Sequence, residues 1–475
     1  MATAKEFTFV LAGEALPAGT RKTVHGEVRH AVRLGATRAG GKPVTVTARA
    51  GEHVVRLGIA NGPTLVLHPE NAHDLLAAQA RTQRREAGDA AGAVTVTPQL
   101  GWRGAGAATE RGVASWLGQA TLDSFEVVGD LAPDVALAAA EGTAAKYLAA
   151  RLDAQVTTGV YALAPDRFDQ PLKQAGQAPL AQVPAADGQP VLVLVHGTFV
   201  DSHSTFGKLW AAHPELVRTL FDHYQGRVYA FDHPTLGDSP VRNALALVAA
   251  LPAGTRLHLL THSRGGLVAE VLARACSGPV PTREDLDRTL KDDAADLEQL
   301  FAQARGKGLR VDRLVRVACP VRGTLLASRR LDAYLSVLTW ALQLGGQVVL
   351  GALVDFLHGV AKRRADPALM PGLKAMMPES DFIQWLAAQA APIEGDLRVV
   401  AGDMQGDSVL SWVKTLLADA FYWTDNDLVV HTRAMYGGVP RGVVGQGGNA
   451  RFLLDRGGKV SHFNYFSNRA PPPPR

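Results

Sequence analysis

The stretch Arg256–Val268, RLHLLTHSRGGLV, predicts a strand, a sharp turn and a helix in immediate succession. Arg256–Leu260 is a short apolar run, rich enough in leucine to form a buried strand, and Leu267–Ala275 has the alanine, leucine and valine content of a helix. Ser263 stands at the corner between them and is followed by two glycines, which let a helix begin close against the strand. This is the pattern of a nucleophile elbow, which points a serine hydroxyl toward the N–H groups of a helix N-terminus.

The same serine also has a structural interpretation, because serine between a strand and a helix is a common helix N-cap. The usual nucleophile motif is G-x-S-x-G, and Thr261 stands here in place of the first glycine. A β-branched residue departs from the small side chain that a tight corner favours. The hexapeptide alone therefore leaves catalysis and capping both open, and the rest of the chain has to decide between them.

The length and composition indicate a globular protein of more than one domain. The chain has 475 residues, of which 47% are hydrophobic and 20% charged, with a formal net charge of only +4. Without a large basic patch, zinc spacing or stacked aromatic residues, no nucleic-acid partner is expected. Cys276 and Cys319 are too few for a disulfide framework, and Met1–Val10 shows no secretory signal. We therefore expect a reducing, cytoplasmic location.

Residues 1–185 are predicted to form a smaller, β-rich α+β region. Asn61-Gly62 indicates a hairpin turn between two of its strands, Asp134–Ala154 is predicted to be helical, and Gln170–Gln189 has the composition of a linker. The region contains no catalytic constellation, and an interaction with a protein partner is the role that it leaves open. Its predicted strands are Glu6–Leu11, Val44–Thr47, His53–Leu57, Thr64–Leu67 and Val94–Thr97.

Residues 186–475 alternate apolar runs with helical stretches, which predicts a parallel α/β sheet. The first run is an unbroken series of valine and leucine, typical of a strand that is buried on both faces. A ligand is expected at the loops that follow the carboxyl ends of these strands. The predicted strands are Val191–Val195, Arg227–Phe231, Arg256–Leu260, Arg313–Ala318, Leu397–Ala401 and Arg451–Leu454.

A long insertion, at about residues 325–393, separates two of the predicted strands. Within it, the 22 residues Ala333–Val354 carry no charge, which is long enough for a membrane span. Gly345 and Gly346 divide the stretch into two shorter helices, so we predict an apolar cap over the serine instead. Such a cap would hold an acyl chain and allow peripheral membrane contact. The alternative is a fixed helical pair that completes a core.

An activated serine needs a general base and an acid that orients the base. The histidine is expected late, after the last strand, where His462 lies among aromatic residues in VSHFNYF. The acid is expected between Ser263 and His462. Asp427 directly precedes an apolar run and is the first candidate, Asp425 is the second, and Asp403, just after a predicted strand, is the third.

With these motifs in place, the chain from about residue 190 to 466 resembles the α/β-hydrolase fold, and within it the bacterial triacylglycerol-lipase-like members. The resemblance implies a parallel-sheet catalytic domain covered by a helical cap. The segments that carry it are LVHGT at 194–198, THSRGG at 261–266, CPVRGT at 319–324, NDLVV at 426–430, AMYG at 434–437 and VSHF at 460–463.

The resemblance also implies a role for each matching residue. Ser263 would be the nucleophile, His462 the base and Asp427 the orienting acid, while the backbone N–H groups of Thr198 and Arg264 would bind the oxyanion. The implied reaction is cleavage of a small-molecule or lipid acyl ester through an acyl-enzyme, without a metal or an organic cofactor. Two alternatives remain open: an acyltransferase on the same fold, and a binding or scaffold component of a multi-protein bacterial system.

Overall fold

The computed structural model describes most of the chain, and two compact units can be distinguished in it. The first unit comprises Met1–Leu148, Ser328–Leu369 and Gln405–Thr424, and the second comprises Ala149–Ala327, Met370–Met404 and Asp425–Arg475. The described residues are 4–17, 22–23, 26–35, 43–83, 92–102, 118–129, 141–324, 331–344, 351–388, 391–404, 427, 429–430, 432–437, 451–457 and 460–468.

The described residues form strands and helices in both units. The strands are β1 (Glu6–Leu11), β2 (Gly13–Leu16), β3 (Lys22–Thr23), β4 (Gly26–Leu34), β5 (Val44–Arg49), β6 (Val54–Ile59), β7 (Thr64–Leu67), β8 (Ala93–Val96), β9 (Gln99–Trp102), β10 (Gly118–Gly129), β11 (Gly159–Ala162), β12 (Pro190–Val195), β13 (Val228–Asp232), β14 (Arg256–His262), β15 (Arg310–Val317), β16 (Asp396–Met404) and β17 (Arg451–Gly457). The helices are α1 (Pro69–Gln83), α2 (Glu141–Asp153), α3 (Ser202–Ala212), α4 (Pro214–Tyr224), α5 (Pro240–Ala250), α6 (Gly265–Ser277), α7 (Arg283–Thr289), α8 (Ala294–Gly306), α9 (Leu331–Leu344), α10 (Gly351–Arg363), α11 (Pro371–Lys374), α12 (Asp381–Ala387) and α13 (Thr432–Met435).

The described strands of the first unit form two sheets. One sheet has the order β5-β1-β8, and the other has the order β2-β4-β10-β6-β7, with β3 paired to β4 and β9 paired to β10. Strand β1 buries Phe7, Phe9 and Leu11 on one face, which is the period-two pattern of a half-buried strand. The predicted hairpin is present: Asn61 has a φ of 59°, and Gly62 N–H donates to Ile59 O at 2.9 Å.

The charge-free stretch that the sequence predicts as a cap belongs to this first unit. Helices α9 and α10 pack against β7. The Ser336 hydroxyl accepts from Val66 N–H at 2.9 Å, and the buried Asp332 carboxylate accepts from His68 N–H at 2.8 Å. Leu335, Val337 and Leu338 of α9 are buried, as the alternative of a helical pair in a core predicts, while a cap over the serine stays a prediction. No helix in the described ranges is both long and apolar enough to cross a membrane.

The second unit is built on one sheet with the order β11-β13-β12-β14-β15-β16-β17. Strands β12 to β17 are parallel to their neighbours, and only β11 runs antiparallel, against β13. The predicted parallel α/β sheet is therefore confirmed. Helix α6 follows β14 directly and packs against α5 and α8. Helix α7 has a side-chain N-cap, since the Thr282 hydroxyl accepts from Asp285 N–H at 3.1 Å.

The predicted boundary at residue 185 differs from the division in the structure, where the second unit begins at Ala149. The segment predicted as a linker packs on this unit: Leu180 N–H donates to Val160 O and Val183 N–H donates to Ala250 O, both at 2.8 Å. Leu172 and Val183 are buried, although their neighbours give the segment the composition of a linker. The four-residue edge strand β11 also belongs to this unit and is not among the strands predicted from the sequence.

Candidate active site

Ser263 lies at the turn between β14 and α6, where the sequence predicts it. Its φ of 51° is in the left-handed region, which costs a non-glycine residue about 1–3 kcal/mol and persists only where surrounding contacts hold it. Its backbone N–H donates to Val317 O at 2.8 Å, so the corner is tied to the neighbouring strand. A strained strand-to-helix turn with a serine at its apex is the geometry of a nucleophile elbow.

Three glycines make this close packing sterically feasible. A Cβ on Gly265 would lie 2.3 Å from Val195 O, and one on Gly266 would lie 2.4 Å from Cys319 Sγ. A Cβ on Gly197, in the turn after β12, would lie 2.7 Å from Ser263 Cβ. Each distance is shorter than real Cβ contacts, so a side chain at any of the three positions would force neighbouring atoms to move.

Thr261, which departs from the usual first glycine of the motif, is accommodated within the sheet. It is fully buried as part of β14, paired with Val195 and Arg316 in the neighbouring strands. Its hydroxyl donates to Val315 O at 3.2 Å, which satisfies the polar atom. The β-branched side chain therefore belongs to the strand, where its propensity is favourable, and the strained corner starts after it.

His462 and Asp427 form a buried pair on the loops that follow β16 and β17. The Nδ1 atom of His462 lies 2.8 Å from Asp427 Oδ2, and His462 N–H donates to Asp427 O at 3.0 Å. The side chains are 3% and 0% exposed, so bulk water does not compete for this contact. Because an ionised carboxylate only accepts hydrogen bonds, Nδ1 carries the proton, and in the neutral ring Nε2 is left as the acceptor.

The Asp427 carboxylate is held in its ionised form. Burial by itself raises the pKa of a carboxyl. The charge and hydrogen bond of His462 lower the pKa of Asp427, and so do the hydrogen bonds from Val430 N–H and the Tyr465 hydroxyl. Together they leave this pKa below its ordinary value. A carboxylate that stays ionised next to an imidazole can stabilise the imidazolium that forms when the ring takes a proton.

His262 links the serine corner to the histidine loop. Its Nε2 lies 2.7 Å from His462 O, and the two rings are 4.6 Å apart. Because a carbonyl only accepts, Nε2 of His262 carries the proton. Burial is the main cause that lowers the pKa of His262 to about 3, so the ring stays neutral.

Within the described part of the chain, the Ser263 hydroxyl and His462 Nε2 form no hydrogen bond. Catalytic hydrogen bonds often form fully only when substrate is bound.

The predicted oxyanion donors, Thr198 and Arg264, flank the serine corner. Thr198 is buried and follows Gly197, which contacts Ser263. Neither backbone N–H makes a hydrogen bond to another described residue, which is the arrangement that an oxyanion donor needs before a ligand binds. The Arg264 side chain is completely buried, where its Nη1 donates to Asn243 Oδ1 at 2.7 Å and its Nη2 donates to Asp238 O.

Of the other acid candidates, the structure describes only Asp403, which forms an ion pair with an arginine on the neighbouring strand. Asp403 lies on β16, and its Oδ2 is 3.5 Å from Arg456 Nε on the adjacent strand. Asp425 lies outside the described residues.

Two further residues of the site were not predicted from the sequence: Tyr465, whose hydroxyl donates to Asp427 Oδ2 at 2.8 Å, and Lys208, whose Nζ donates to Phe463 O at 3.1 Å. Neither belongs to a recognisable motif, although Tyr465 lies in the quoted histidine loop.

The described residues contain no group of three or more histidine, cysteine, aspartate or glutamate side chains that could hold a metal ion.

The second unit is an α/β domain with a serine at a strained strand–helix corner and a buried histidine–aspartate pair. Residues 157–289 and 294–471 match the model of a family described as a domain of unknown function, DUF7379. The chain belongs to this family.

Comparison with solved structures gives bacterial lipases and esterases at low similarity, whereas no curated protein matches the chain. Lipase 1 from Pelosinus fermentans is 16% identical, with a TM-score of 0.40, covering 59% of this chain and 94% of its own. EstA from Clostridium botulinum is 14% identical, with a TM-score of 0.36 and coverage of 68% and 93%. The Staphylococcus hyicus lipase is 12% identical, with a TM-score of 0.36 and coverage of 61% and 92%.

Proposed function

We propose that this protein is a serine ester hydrolase on an α/β-hydrolase fold, with Ser263, His462 and Asp427 as its catalytic triad. The observation that carries the proposal is the buried hydrogen bond between His462 Nδ1 and Asp427 Oδ2, which leaves Nε2 as a proton acceptor. The strained conformation of Ser263 supports it, because such strain is retained where function requires it.

In the proposed reaction, the Ser263 oxygen attacks the ester carbonyl while His462 Nε2 takes the hydroxyl proton. A tetrahedral intermediate forms, and its oxyanion accepts hydrogen bonds from the backbone N–H groups of Thr198 and Arg264. The imidazolium of His462 then gives its proton to the leaving alcohol as the C–O bond breaks, which leaves an acyl-serine. Asp427 keeps its charge throughout and stabilises the imidazolium.

Water completes the cycle by the same steps in reverse order. His462 Nε2 takes a proton from the attacking water, the second oxyanion is bound by the same two N–H groups, and Ser263 leaves with the proton returned by the imidazolium. If an alcohol replaced water in this step, the product would be a new ester, so product analysis separates hydrolysis from acyl transfer. The proposed substrates are small-molecule or lipid acyl esters.

The test is labelling with a fluorophosphonate probe, followed by mass spectrometry of the modified peptide and an assay with p-nitrophenyl esters. We expect the label on Ser263, and turnover reduced by several orders of magnitude in Ser263→Ala with folding intact. Ser277→Ala, at the other end of α6, is the matched control and should keep full activity. Labelling at another residue, or full activity of a folded Ser263→Ala variant, would contradict the proposal.

A further inference from the structure

One oxygen of the Asp427 carboxylate accepts hydrogen bonds from two different side chains. His462 Nδ1 and the Tyr465 hydroxyl each lie 2.8 Å from Oδ2. The other oxygen, Oδ1, accepts from the backbone N–H groups of Val429 and Val430, at 3.1 and 2.9 Å. A carboxylate offers about four lone-pair positions, so these four donors occupy it completely.

The Tyr465 hydroxyl is held in its position by the strand beside it. A Cβ on Gly402 of β16 would lie 1.9 Å from the hydroxyl oxygen, so the hydroxyl sits directly over the backbone of that glycine. Burial and the Asp427 charge raise the pKa of Tyr465 well above its ordinary value, so the hydroxyl keeps its proton and can only donate to the carboxylate.

Two donors at one oxygen share its negative charge. The more of that charge the tyrosine hydroxyl takes up, the less remains to stabilise an imidazolium on His462. We propose that Tyr465 is a positioning residue that sets the strength of the His462–Asp427 hydrogen bond and thereby limits the basicity of the catalytic histidine. This inference rests on the proposed function only in naming that histidine as the base.

The other ionisable groups that face this cluster can be separated from Tyr465 by experiment. His262, which touches His462, is already neutral over the working range because its pKa is about 3. Burial raises the pKa of Asp455, so Asp455→Asn serves as a control for that neighbour. The groups that face the cluster are His262, with which His196 interacts electrostatically, Asp455 and Tyr436, which interact electrostatically with Tyr465, and Lys208 of α3, which donates to the histidine loop.

The test removes the hydroxyl with Tyr465→Phe and follows two quantities. We expect the acid limb of kcat/KM to move to higher pH by about 0.5–1 unit, because a carboxylate with one donor fewer holds the imidazolium more strongly. We also expect the low-field NMR signal of the proton between His462 and Asp427 to move further downfield. Tyr224→Phe is the matched control, since it removes a tyrosine–histidine bond to His258 Nδ1, at 2.7 Å, and should shift neither quantity.

A second variant, Gly402→Ala, keeps the tyrosine but displaces its hydroxyl, and it should move both quantities in the same direction. Unchanged or reversed shifts in a folded Tyr465→Phe variant would overturn the inference. The NMR signal requires no turnover, so it separates the two proposals. A downfield shift in a protein without esterase activity would contradict the proposed function alone, whereas activity without any shift would contradict the role of Tyr465 alone.

Discussion

Gly197 and Ser263 approach each other so closely that a Cβ added to Gly197 would lie 2.7 Å from the Cβ of the serine. The contact joins the turn after β12, which carries the Thr198 N–H, to the elbow after β14. A donor N–H and a nucleophile must keep a fixed separation if the oxyanion is to form between them. The absent side chain at residue 197 therefore sets the geometry of the proposed site.

We expect Gly197→Ala to lower kcat/KM by about 10- to 100-fold, because a misplacement of the nucleophile by about 1 Å is enough for a loss of that size. The protein should still fold, since the clash is confined to one turn. Steady-state kinetics with a p-nitrophenyl ester and circular dichroism are the measurements. Gly306→Ala, where an added Cβ meets no atom within 4 Å, is the control. Unchanged kinetics in Gly197→Ala would show that the turn adapts.

The sequence predicts the proposed triad residues of this site better than it predicts the residues that contact them. Ser263, His462 and Asp427 each follow a predicted strand or precede an apolar run, so chain order and the rules of parallel sheets place them among the candidates, although Asp425 and Asp403 stay open as the acid at that point. Tyr465 and His262 act through contacts between segments that are distant in sequence. The bond from His262 to His462 spans 200 residues, and no local pattern encodes such a partner.

Asp427→Asn should be far more damaging than Asp403→Asn. The asparagine keeps the shape but loses the charge that stabilises the imidazolium and selects the tautomer, so kcat should fall by about 10⁴-fold. Asp403 faces Arg456 on the next strand, and its neutral variant should keep nearly full activity. Steady-state kinetics of both variants provide the comparison. Equal losses would remove the structural basis for choosing Asp427.

The low pKa of Asp427 also makes stability depend on pH. The folded pKa lies below the ordinary value of about 4, so the ionised group stabilises the fold above that pH, and its contribution is lost as pH falls through the folded pKa. Urea unfolding of the wild type should therefore show a steeper loss of stability than Asp427→Asn as the pH falls below about 4. Parallel pH profiles for the two proteins would contradict this assignment.

A further prediction concerns the stability of the first unit and the buried Asp332 carboxylate within it. It accepts from His68 N–H at 2.8 Å and from Asn71 Nδ2 at 2.9 Å, so Asp332→Ala removes a buried acceptor that both donors use. We expect a loss of stability of about 1–3 kcal/mol and faster hydrogen exchange at residues 64–71. Asp74→Ala, at a largely exposed carboxylate on α1, is the control. Protection that is unchanged in Asp332→Ala would show that α9 does not hold this segment.

Strand β10 shows why the fold of the first unit is only partly predictable. It pairs with β4 and β6, yet its sequence does not alternate regularly. A register shift between Leu122 and Ser124 moves burial from Ala120 and Leu122 to Phe125 and Val127, which reverses the parity of the pattern. Period-two analysis fails at such a bulge, whereas the continuous apolar runs of β12 and β13 are recognisable because both of their faces are buried.

The last prediction concerns Arg264, whose backbone N–H is a proposed oxyanion donor and whose side chain is completely buried. Its guanidinium donates to Asn243 Oδ1 and to Asp238 O, and burial lowers its pKa to about 10, so the side chain remains charged at neutral pH. A lysine carries its charge on a single nitrogen and cannot reproduce this fork. We expect Arg264→Lys to lower kcat by about 10- to 100-fold with little change in KM, because an oxyanion donor acts mainly in the transition state.

The measurements for Arg264→Lys are steady-state kinetics and urea unfolding on the same samples. The control is Arg242→Lys, at a largely exposed arginine on α5. A loss of stability with kcat unchanged would show that the side chain serves packing alone, whereas a loss of kcat in a stable variant supports its role in holding the oxyanion donor in place.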